Sequence, residues 1–232
     1  MTTAARPRRR NRRGEGERLR EEILAAAKDL LGETGSEDAV SIRAVADRVG
    51  VSTPSIYLHF ADKNALISAV CSDVFADLDR EMNAAAAGAV DPFEALRQRG
   101  MAYARFAVEN PEHYRIVMMT PRDTGDDFDF SNAMSSATFA NLVAAVSDCV
   151  AAGFFSPDQD VQQIALALWA SVHGAVSLVV AKPQFSVADG LALCDAVISA
   201  SGIGLAVMGR LPQDEDDAHE AVGRALSALE PD

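Results

Sequence analysis

Residues 49–63 read VGVSTPSIYLHFADK and combine small hydroxyl side chains with a bulky aromatic run and a lysine. The stretch is too broken for a core element and too aromatic for an ordinary loop in a chain with 6% aromatic residues. Hydroxyl, phenol, imidazole and ammonium groups can donate hydrogen bonds to phosphate oxygens, and small side chains allow close approach to base edges. The segment therefore has the chemistry needed to recognise DNA.

Charge is distributed unevenly along the chain. Residues 1–63 carry 12 Lys/Arg and 10 Asp/Glu, net +2, whereas residues 64–232 carry 9 and 24, net −15. The sharpest basic piece is RPRRRNRR, with six arginines in eight residues. We expect a disordered arm that tracks phosphates or enters the minor groove, and a solvated tail is the alternative. The candidate DNA-arm residues are Arg8, Arg9, Arg10, Arg12 and Arg13.

Other classes of function find little support in the sequence. No uninterrupted apolar run reaches the ~20 residues that a membrane span needs. Cys71, Cys149 and Cys194 follow no metal or redox spacing, so we expect buried thiols in a reduced cytoplasm. An enzyme would need His113 or His173 as its base, but PEHYR around His113 reads as a helix start and an exposed turn. We therefore predict that the chain is not an enzyme and uses no cofactor or metal.

Helix is predicted along almost the whole chain, because alanine is plentiful and no alternating strand pattern is found. Ser41 and Ser52 are expected to cap two short helices separated by Gly50, and Asp62 is expected to cap a long one. The predicted helices are 18–34, 42–49, 53–60, 62–86, 91–109, 110–119, 133–152, 158–181, 187–209 and 218–229, with a turn-rich loop over 120–132.

The two short helices around Gly50 have the arrangement of a helix-turn-helix. The first needs small apolar residues such as Ala46 at the crossing, and the second must present small side chains to the major groove. The segment SIRAVADRVGVSTPSIYLHFADKNALI, with the amphipathic helix before it, resembles the DNA-binding domain of the TetR (tetracycline repressor) family. The resemblance covers about 50 residues and is specific, because its pattern is dense and ordered.

The resemblance implies roles at the matching positions. The implied base contacts are Arg43, Thr53, Pro54 and Ser55, and the implied phosphate contacts are Ser41, Tyr57, His59 and Lys63. Ile56 and Phe60 are predicted to face the core. The alternatives are that His59 is a partly buried ring stacked on the domain, that Tyr57 is a core residue and that Arg43 is a simple surface charge.

The resemblance further implies that residues from about 87 onward bind a ligand and form a dimer. ALWASVHGAVSLVV, at 167–180, resembles the WHG pattern of one subgroup of TetR C-terminal domains. Trp169 and His173 are four residues apart and share a helix face, where they either line a pocket or pack in the core. The candidate pocket residues are Tyr103, Phe106, Tyr114, Met118, Phe139, Trp169 and His173.

The predicted fold class is all-α, with an N-terminal tri-helical helix-turn-helix domain and a larger helical ligand-binding and dimerisation domain. The predicted segments are a disordered basic arm (1–17), the DNA-binding domain (18–65), the helical domain (66–210) and an acidic tail (211–232). The resemblance implies a homodimer whose four-helix bundle is built from the helices at about 158–181 and 187–209 and their two-fold copies.

These observations predict a homodimeric, ligand-responsive transcriptional regulator of the cytoplasm with no membrane partner. We expect a repressor that an unidentified small molecule releases from a palindromic operator in double-stranded DNA. The alternative is an activator, or a regulator without an inducer. An apolar cavity in the second domain would distinguish the two hypotheses.

Overall fold

The computed structural model describes residues 15–119, 137–182, 184–211 and 220–224, and every regular element in these ranges is helical. The predicted all-α class is therefore confirmed. The helices are α1 (Glu15–Thr34), α2 (Ile42–Val49), α3 (Thr53–Tyr57), α4 (Lys63–Ala86), α5 (Pro92–Glu109), α6 (Pro111–Tyr114), α7 (Ala137–Ala151), α8 (Val161–Ala181) and α9 (Val187–Met208), and a π-helical turn (Arg115–Met119) follows α6 directly.

Local capping sets the limits of α2 and α4. The backbone N–H of Ala44 donates to Ser41 Oγ at 3.1 Å, and α2 starts at the residue after this serine. Gly50 ends α2 in the left-handed conformation, with φ of 77°, which glycine adopts without steric penalty. The backbone N–H of Ala65 donates to Asp62 Oδ1 at 2.7 Å, at the start of α4. These predicted caps are confirmed.

The chain divides into two compact units, and the division falls within α4. The first unit contains the residues up to Ala76 together with Glu112–Thr120, and the second contains Asp77–Pro111 and the chain from Pro121 onward. The domain limits expected from the sequence stay predictions.

The core of the first unit lies between α1, α2, α3 and the first half of α4. Each helix contributes apolar residues that recur every three or four positions, which places them on one helix face. The fully buried side chains of this core include Ile23, Leu31, Val40, Val45, Ile56, Leu66, Val70 and Val74.

The segment after α5 completes the first unit by packing on α1. His113 is half-buried, and its Nε2 donates a hydrogen bond to the carbonyl oxygen of Lys28 at 3.1 Å. Its ring takes the space beside Gly32, where a Cβ atom would lie 2.5 Å from the ring carbon Cε1. The helix start expected at PEHYR is confirmed by α6, whereas the exposed turn expected there is wrong, because α1 has a glycine where this histidine docks.

The core of the second unit lies between α5, α7, α8 and α9. Phe93 stacks on Phe154 with ring centroids 5.3 Å apart and meets Phe155 edge-on at 5.9 Å. The buried cluster beside them comprises Leu96, Phe139, Ala145, Val146, Cys149, Phe155, Ile164 and Ala165. Burial raises the pKa of the Cys149 thiol to about 11. Cys71 and Cys194 are buried as well, as predicted.

A charged cluster ties α5 to α9 in the second unit. Arg97 donates to both carboxylate oxygens of Glu94, at 2.9 and 3.0 Å, and to Asp195 on α9. The hydrogen bonds from Arg97 and then Gln98 lower the pKa of Glu94 to about 2. Glu94 is therefore ionised at neutral pH, and the contact from Arg97 to Asp195 joins α5 to α9.

Helices α8 and α9 are long and apolar enough to cross a membrane by length and composition alone. This is weak evidence, because the core helices of soluble proteins pass the same test. Only 33% of the apolar window of α8 and 11% of that of α9 are buried within the chain.

Candidate nucleic-acid interface and ligand site

The turn between α2 and α3 is held by one carbonyl oxygen. The backbone N–H groups of Gly50 and Val51 both donate to Ala46 O, at 2.9 and 3.0 Å. Ala46 on α2 and Ile56 on α3 are both buried in the core of the first unit. The packing fixes α3 by its inner side and leaves the outer side open to solvent.

The outer side of α3 carries the residues predicted to read bases. Pro54 is exposed, and Thr53 and Ser55 are half-buried. Among the described residues, Ser52 makes no side-chain cap to α3, and its Oγ lies instead 2.9 Å from Ser55 Oγ. The cap predicted at Ser52 is therefore wrong, because the hydroxyl is taken by a neighbouring serine on the same outer side.

The aromatic run after α3 divides between the inside and the outside. Ile56 and Phe60 are buried, as predicted, whereas Tyr57 is 53% exposed and Leu58 is 72% exposed. His59 is half-buried. The phenol of Tyr57 therefore stands on the same open surface as Pro54. No role is predicted for Leu58 from the sequence. It follows directly after α3, and its large apolar side chain is exposed.

The remaining residues predicted to contact phosphates stand at helix starts. Ser41 is exposed, and its Oγ, which accepts the cap hydrogen bond of α2, keeps a proton to donate. Lys63 is the first residue of α4, and its Nζ lies 3.6 Å from Asp38 Oδ1. Arg43, which is predicted to contact a base instead, lies on α2 with its Nε 3.9 Å from Asp47 Oδ2.

Two other arginines of the first unit are engaged in contacts that the sequence did not reveal. Arg48 donates to both carboxylate oxygens of Glu33, at 3.0 and 2.7 Å. Hydrogen bonding within this pair lowers the pKa of Glu33 and raises that of Arg48. The guanidinium of Arg20 lies 5.0 Å from the centroid of the Phe60 ring. Both arginines help to hold the unit together.

The predicted arm residues Arg8, Arg9, Arg10, Arg12 and Arg13 lie outside the described residues.

In the second unit, four of the predicted pocket residues form one connected cluster. Tyr103 Oη lies 2.9 Å from His173 Nδ1, within hydrogen-bond distance. The rings of Trp169 and His173 are 5.4 Å apart, and Phe139 meets Trp169 edge-on at 6.5 Å. Burial lowers the pKa of His173, so the neutral imidazole is favoured. The cluster is an aromatic wall with a polar pair in it.

The other predicted pocket residues are placed differently. Phe106 is buried on α5, the helix that also carries Tyr103. Tyr114 and Met118 belong to the first unit, and their place in a pocket stays a prediction. In the described part of the second unit, surface clefts of about 410 and 280 Å³ lie at residues 88–98 and around Arg97 and Arg105. None of the predicted pocket residues lines either cleft.

The glycine turn, the buried Ala46 and the open side of α3 define the class of the protein as a helix-turn-helix DNA-binding protein. Residues 23–70 match the family described as bacterial regulatory proteins, tetR family, and residues 96–201 match the Tetracyclin repressor-like, C-terminal domain. The chain belongs to the TetR family of transcriptional regulators.

Related proteins agree with this assignment. An uncharacterized HTH-type transcriptional regulator of Mycobacterium tuberculosis is 30% identical over 68% of this chain and 69% of its own length. The HTH-type transcriptional repressor KstR2 of Mycolicibacterium smegmatis is 27% identical over 62% of this chain and 71% of its own. The class A tetracycline repressor protein of Escherichia coli is 40% identical over 55 residues, which make up a quarter of that protein.

Solved structures share the fold. A protein of unknown function from Rhodococcus is 26% identical, with a TM-score of 0.68 over 81% of this chain and 95% of that one. The fatty acid degradation regulator FadR from Bacillus halodurans is 17% identical, with a TM-score of 0.67 over 80% of this chain and 98% of that one. The family consists of regulators, which confirms the prediction of a transcriptional regulator rather than an enzyme. The resemblance to the WHG subgroup stays a prediction.

Proposed function

We propose that this chain is a homodimeric repressor of the cytoplasm that binds a palindromic operator and leaves it when a small molecule binds the second unit. The observation that carries the proposal is the open outer side of α3, where Pro54 and Tyr57 are exposed above the buried Ile56. A helix fixed from inside and open outside can enter the major groove without repacking the core.

In this proposal the residues of the first unit divide the work of binding. Thr53, Pro54 and Ser55 face base edges, where the threonine methyl and the proline ring suit the methyl group of thymine. Arg43 on α2 suits a guanine at the edge of the site. Ser41, Tyr57, His59 and Lys63 donate to phosphates on either side and fix the register of α3 on the duplex.

A second copy of the chain is proposed to cover α8 and α9. Ile203 and Val207, one turn apart on α9, are 57% and 48% exposed, and Leu178 on α8 is exposed too. Ala192, Ala196 and Ala200 are exposed at intervals of four residues, which permits close helix approach. Contiguous apolar exposure of this kind is typical of an interface, and a two-fold copy would complete a four-helix bundle.

The ligand is proposed to bind at the cluster of Tyr103, Phe139, Trp169 and His173. A neutral imidazole hydrogen-bonded to a phenol offers one polar anchor, and the aromatic rings offer apolar contact area. This arrangement suits a largely apolar molecule with one hydrogen-bonding group. Release requires that the ligand has a higher affinity for the conformation that does not bind DNA than for the conformation that does.

Selection of bound duplexes from a random DNA pool by the full chain tests the proposal. We expect a palindrome whose half-sites are centred about 34–36 Å apart, one turn of the double helix. Binding to the selected sequence should weaken steeply as salt rises, because phosphate contacts release counterions. Recovery of a random set of sequences would contradict the proposal.

A second experiment separates the inducible repressor from a regulator without an inducer. Compounds that raise the melting temperature of the chain are tested for release of the selected duplex. Tyr103→Phe removes only the hydroxyl bonded to His173, so it should weaken the response to such compounds and leave operator binding intact. If stabilising compounds never release the duplex, the regulator without an inducer is favoured.

A further inference from the structure

Lys63, which the proposed function places on a DNA phosphate, already has a carboxylate beside it. The distance between Lys63 Nζ and Asp38 Oδ1 is 3.6 Å. The Asp38 side chain is fully exposed, at 102%, whereas that of Lys63 is 35% exposed. Both side chains are therefore accessible to solvent, and the carboxylate is the more exposed of the two.

The position of Lys63 explains why it is paired with an acid. Lys63 is the first residue of α4, and the backbone dipoles of a helix place a partial positive charge at this end. A cation there is repelled unless an anion offsets it. Asp62 accepts the hydrogen bond from Ala65 N–H, and Asp38 faces the ammonium group itself. Asp38 thus faces the ammonium group that the proposed function assigns to a DNA phosphate.

The backbone around Asp38 is anchored in the turn between α1 and α2. The backbone N–H of Asp38 donates to Ser36 Oγ at 3.2 Å, and that of Val40 donates to Glu37 O at 3.2 Å. Val40 is fully buried and fixes the end of the turn. The acid is part of a packed turn between α1 and α2.

We propose that Asp38 competes with DNA phosphates for Lys63 and so sets the overall affinity of the chain for DNA. This inference rests on the proposed function, since it takes Lys63 as a phosphate contact. A phosphate gains the ammonium group only by displacing the carboxylate and must tolerate its negative charge nearby. Because every duplex presents phosphates, the effect is the same for operator and unrelated DNA. Asp38 lowers affinity and leaves sequence preference unchanged.

The experiment measures binding of the full chain to its selected operator and to a shuffled duplex at several salt concentrations. Asp38→Asn keeps the shape of the side chain and removes its charge. Asp158→Asn is the matched control, because it removes an exposed carboxylate from the second unit. Each change is made both in the natural chain and together with Lys63→Ala. Thermal melting confirms that the variants are folded.

We expect Asp38→Asn to tighten binding to both duplexes by about two- to fivefold, the range of an exposed ion pair. The plot of log affinity against log salt should steepen by up to about 0.9, one phosphate contact. Both effects should vanish in the Lys63→Ala background, and Asp158→Asn should show neither.

Four outcomes would overturn the inference, and the first three leave the proposed function standing. Equal affinities for Asp38→Asn and Asp158→Asn would show that the carboxylate does not oppose DNA, although the proposed function would stand. A gain that persists without Lys63 would assign the effect to general charge. A gain confined to the operator would place Asp38 at a base. Failure of every variant to bind any duplex would instead reject the proposed function, and this inference with it.

Discussion

The two units of the molecule treat their apolar residues in opposite ways. In the first unit, α2 buries Ile42, Val45 and Ala46 and points Arg43 and Asp47 outward. In the second unit, α9 is more apolar than α2 but leaves Ile203 and Val207 exposed. The first unit buries the apolar face of α2 and exposes a polar one, which we expect to face DNA. The second offers an apolar surface, which we expect another copy of the chain to cover.

The largest effect is expected when this apolar surface is made charged. Ile203→Asp would bury an unpaired carboxylate in the proposed interface, and by two-fold symmetry would do so twice. An unpaired buried charge destabilises by about 3–5 kcal/mol, enough to dissociate the dimer. Sedimentation should then report a monomer, and operator binding should fall with it. Val90→Asp changes an exposed valine outside the helices and should remain dimeric. If Ile203→Asp sediments with the same mass as the natural chain, the apolar surface of the second unit is not the dimer interface. The contrast between the two units would then be lost.

A smaller effect tests the turn on which the first unit depends. Gly50 has φ of 77° and open space where a Cβ would be, so an alanine meets conformational strain and no clash. Gly50→Ala should destabilise the first unit by about 1–2 kcal/mol. Gly16→Ala, in α1 of the same unit and equally open, should be neutral or stabilising. Urea denaturation followed by circular dichroism compares the two. Equal urea midpoints for Gly50→Ala and Gly16→Ala would show that α2 can be followed by a turn of another conformation.

Removing one proposed phosphate contact should have a comparable or smaller effect on binding. Lys63→Ala should weaken binding to every duplex by about fivefold and flatten the salt dependence by about one contact. Lys182→Ala removes an exposed lysine of the second unit and serves as control. Fluorescence anisotropy at several salt concentrations measures both. A changed sequence preference in Lys63→Ala would place this lysine at a base instead.

The smallest expected effect concerns pH and the second unit. Burial lowers the pKa of His173 below its ordinary value of 6.5, so the unfolded chain takes up this proton before the folded chain does. Stability should therefore fall as pH drops below 6.5, until the folded-state pKa is reached. His173→Gln keeps a hydrogen-bonding group for Tyr103 but does not titrate. Its urea midpoint should fall less between pH 7.5 and 5.5 than that of the natural chain. Parallel declines would show that other groups carry the acid sensitivity.

The sequence predicts well what depends on neighbours in the chain. The limits of α2 follow from Ser41 and Gly50, whose capping interactions span three or four residues. The predicted inward direction of Ile56 and Phe60 is confirmed, although α3 ends at Tyr57, before Phe60. The predicted side-chain cap at Ser52 is wrong although it is equally local, because the Ser52 hydroxyl pairs instead with the hydroxyl of Ser55.

The sequence does not predict contacts between distant segments. Asp38 and Lys63 are 25 residues apart, and Tyr103 and His173 are 70 apart, so each contact exists only through tertiary packing. The side chains of the second pair were identified separately as pocket candidates, but their hydrogen bond depends on how α5 meets α8. The sequence predicts an ordinary helix at Arg115–Met119, where the structure has a π-helical turn. Ile116 is buried in it, and this packing constraint is not visible in the residue pattern.

The docking of His113 beside Gly32 has a consequence for how the protein is made. A ribosome delivers α1 to α4 first and must then synthesise all of α5, which belongs to the second unit, before His113, Tyr114 and Ile116 emerge. Until then, the nascent first unit lacks side chains that are buried in its finished form. A fragment ending at Ala76 would lack these buried side chains permanently. The DNA-binding unit is therefore complete only when about half of the chain has been translated, which ties its maturation to that of its partner unit.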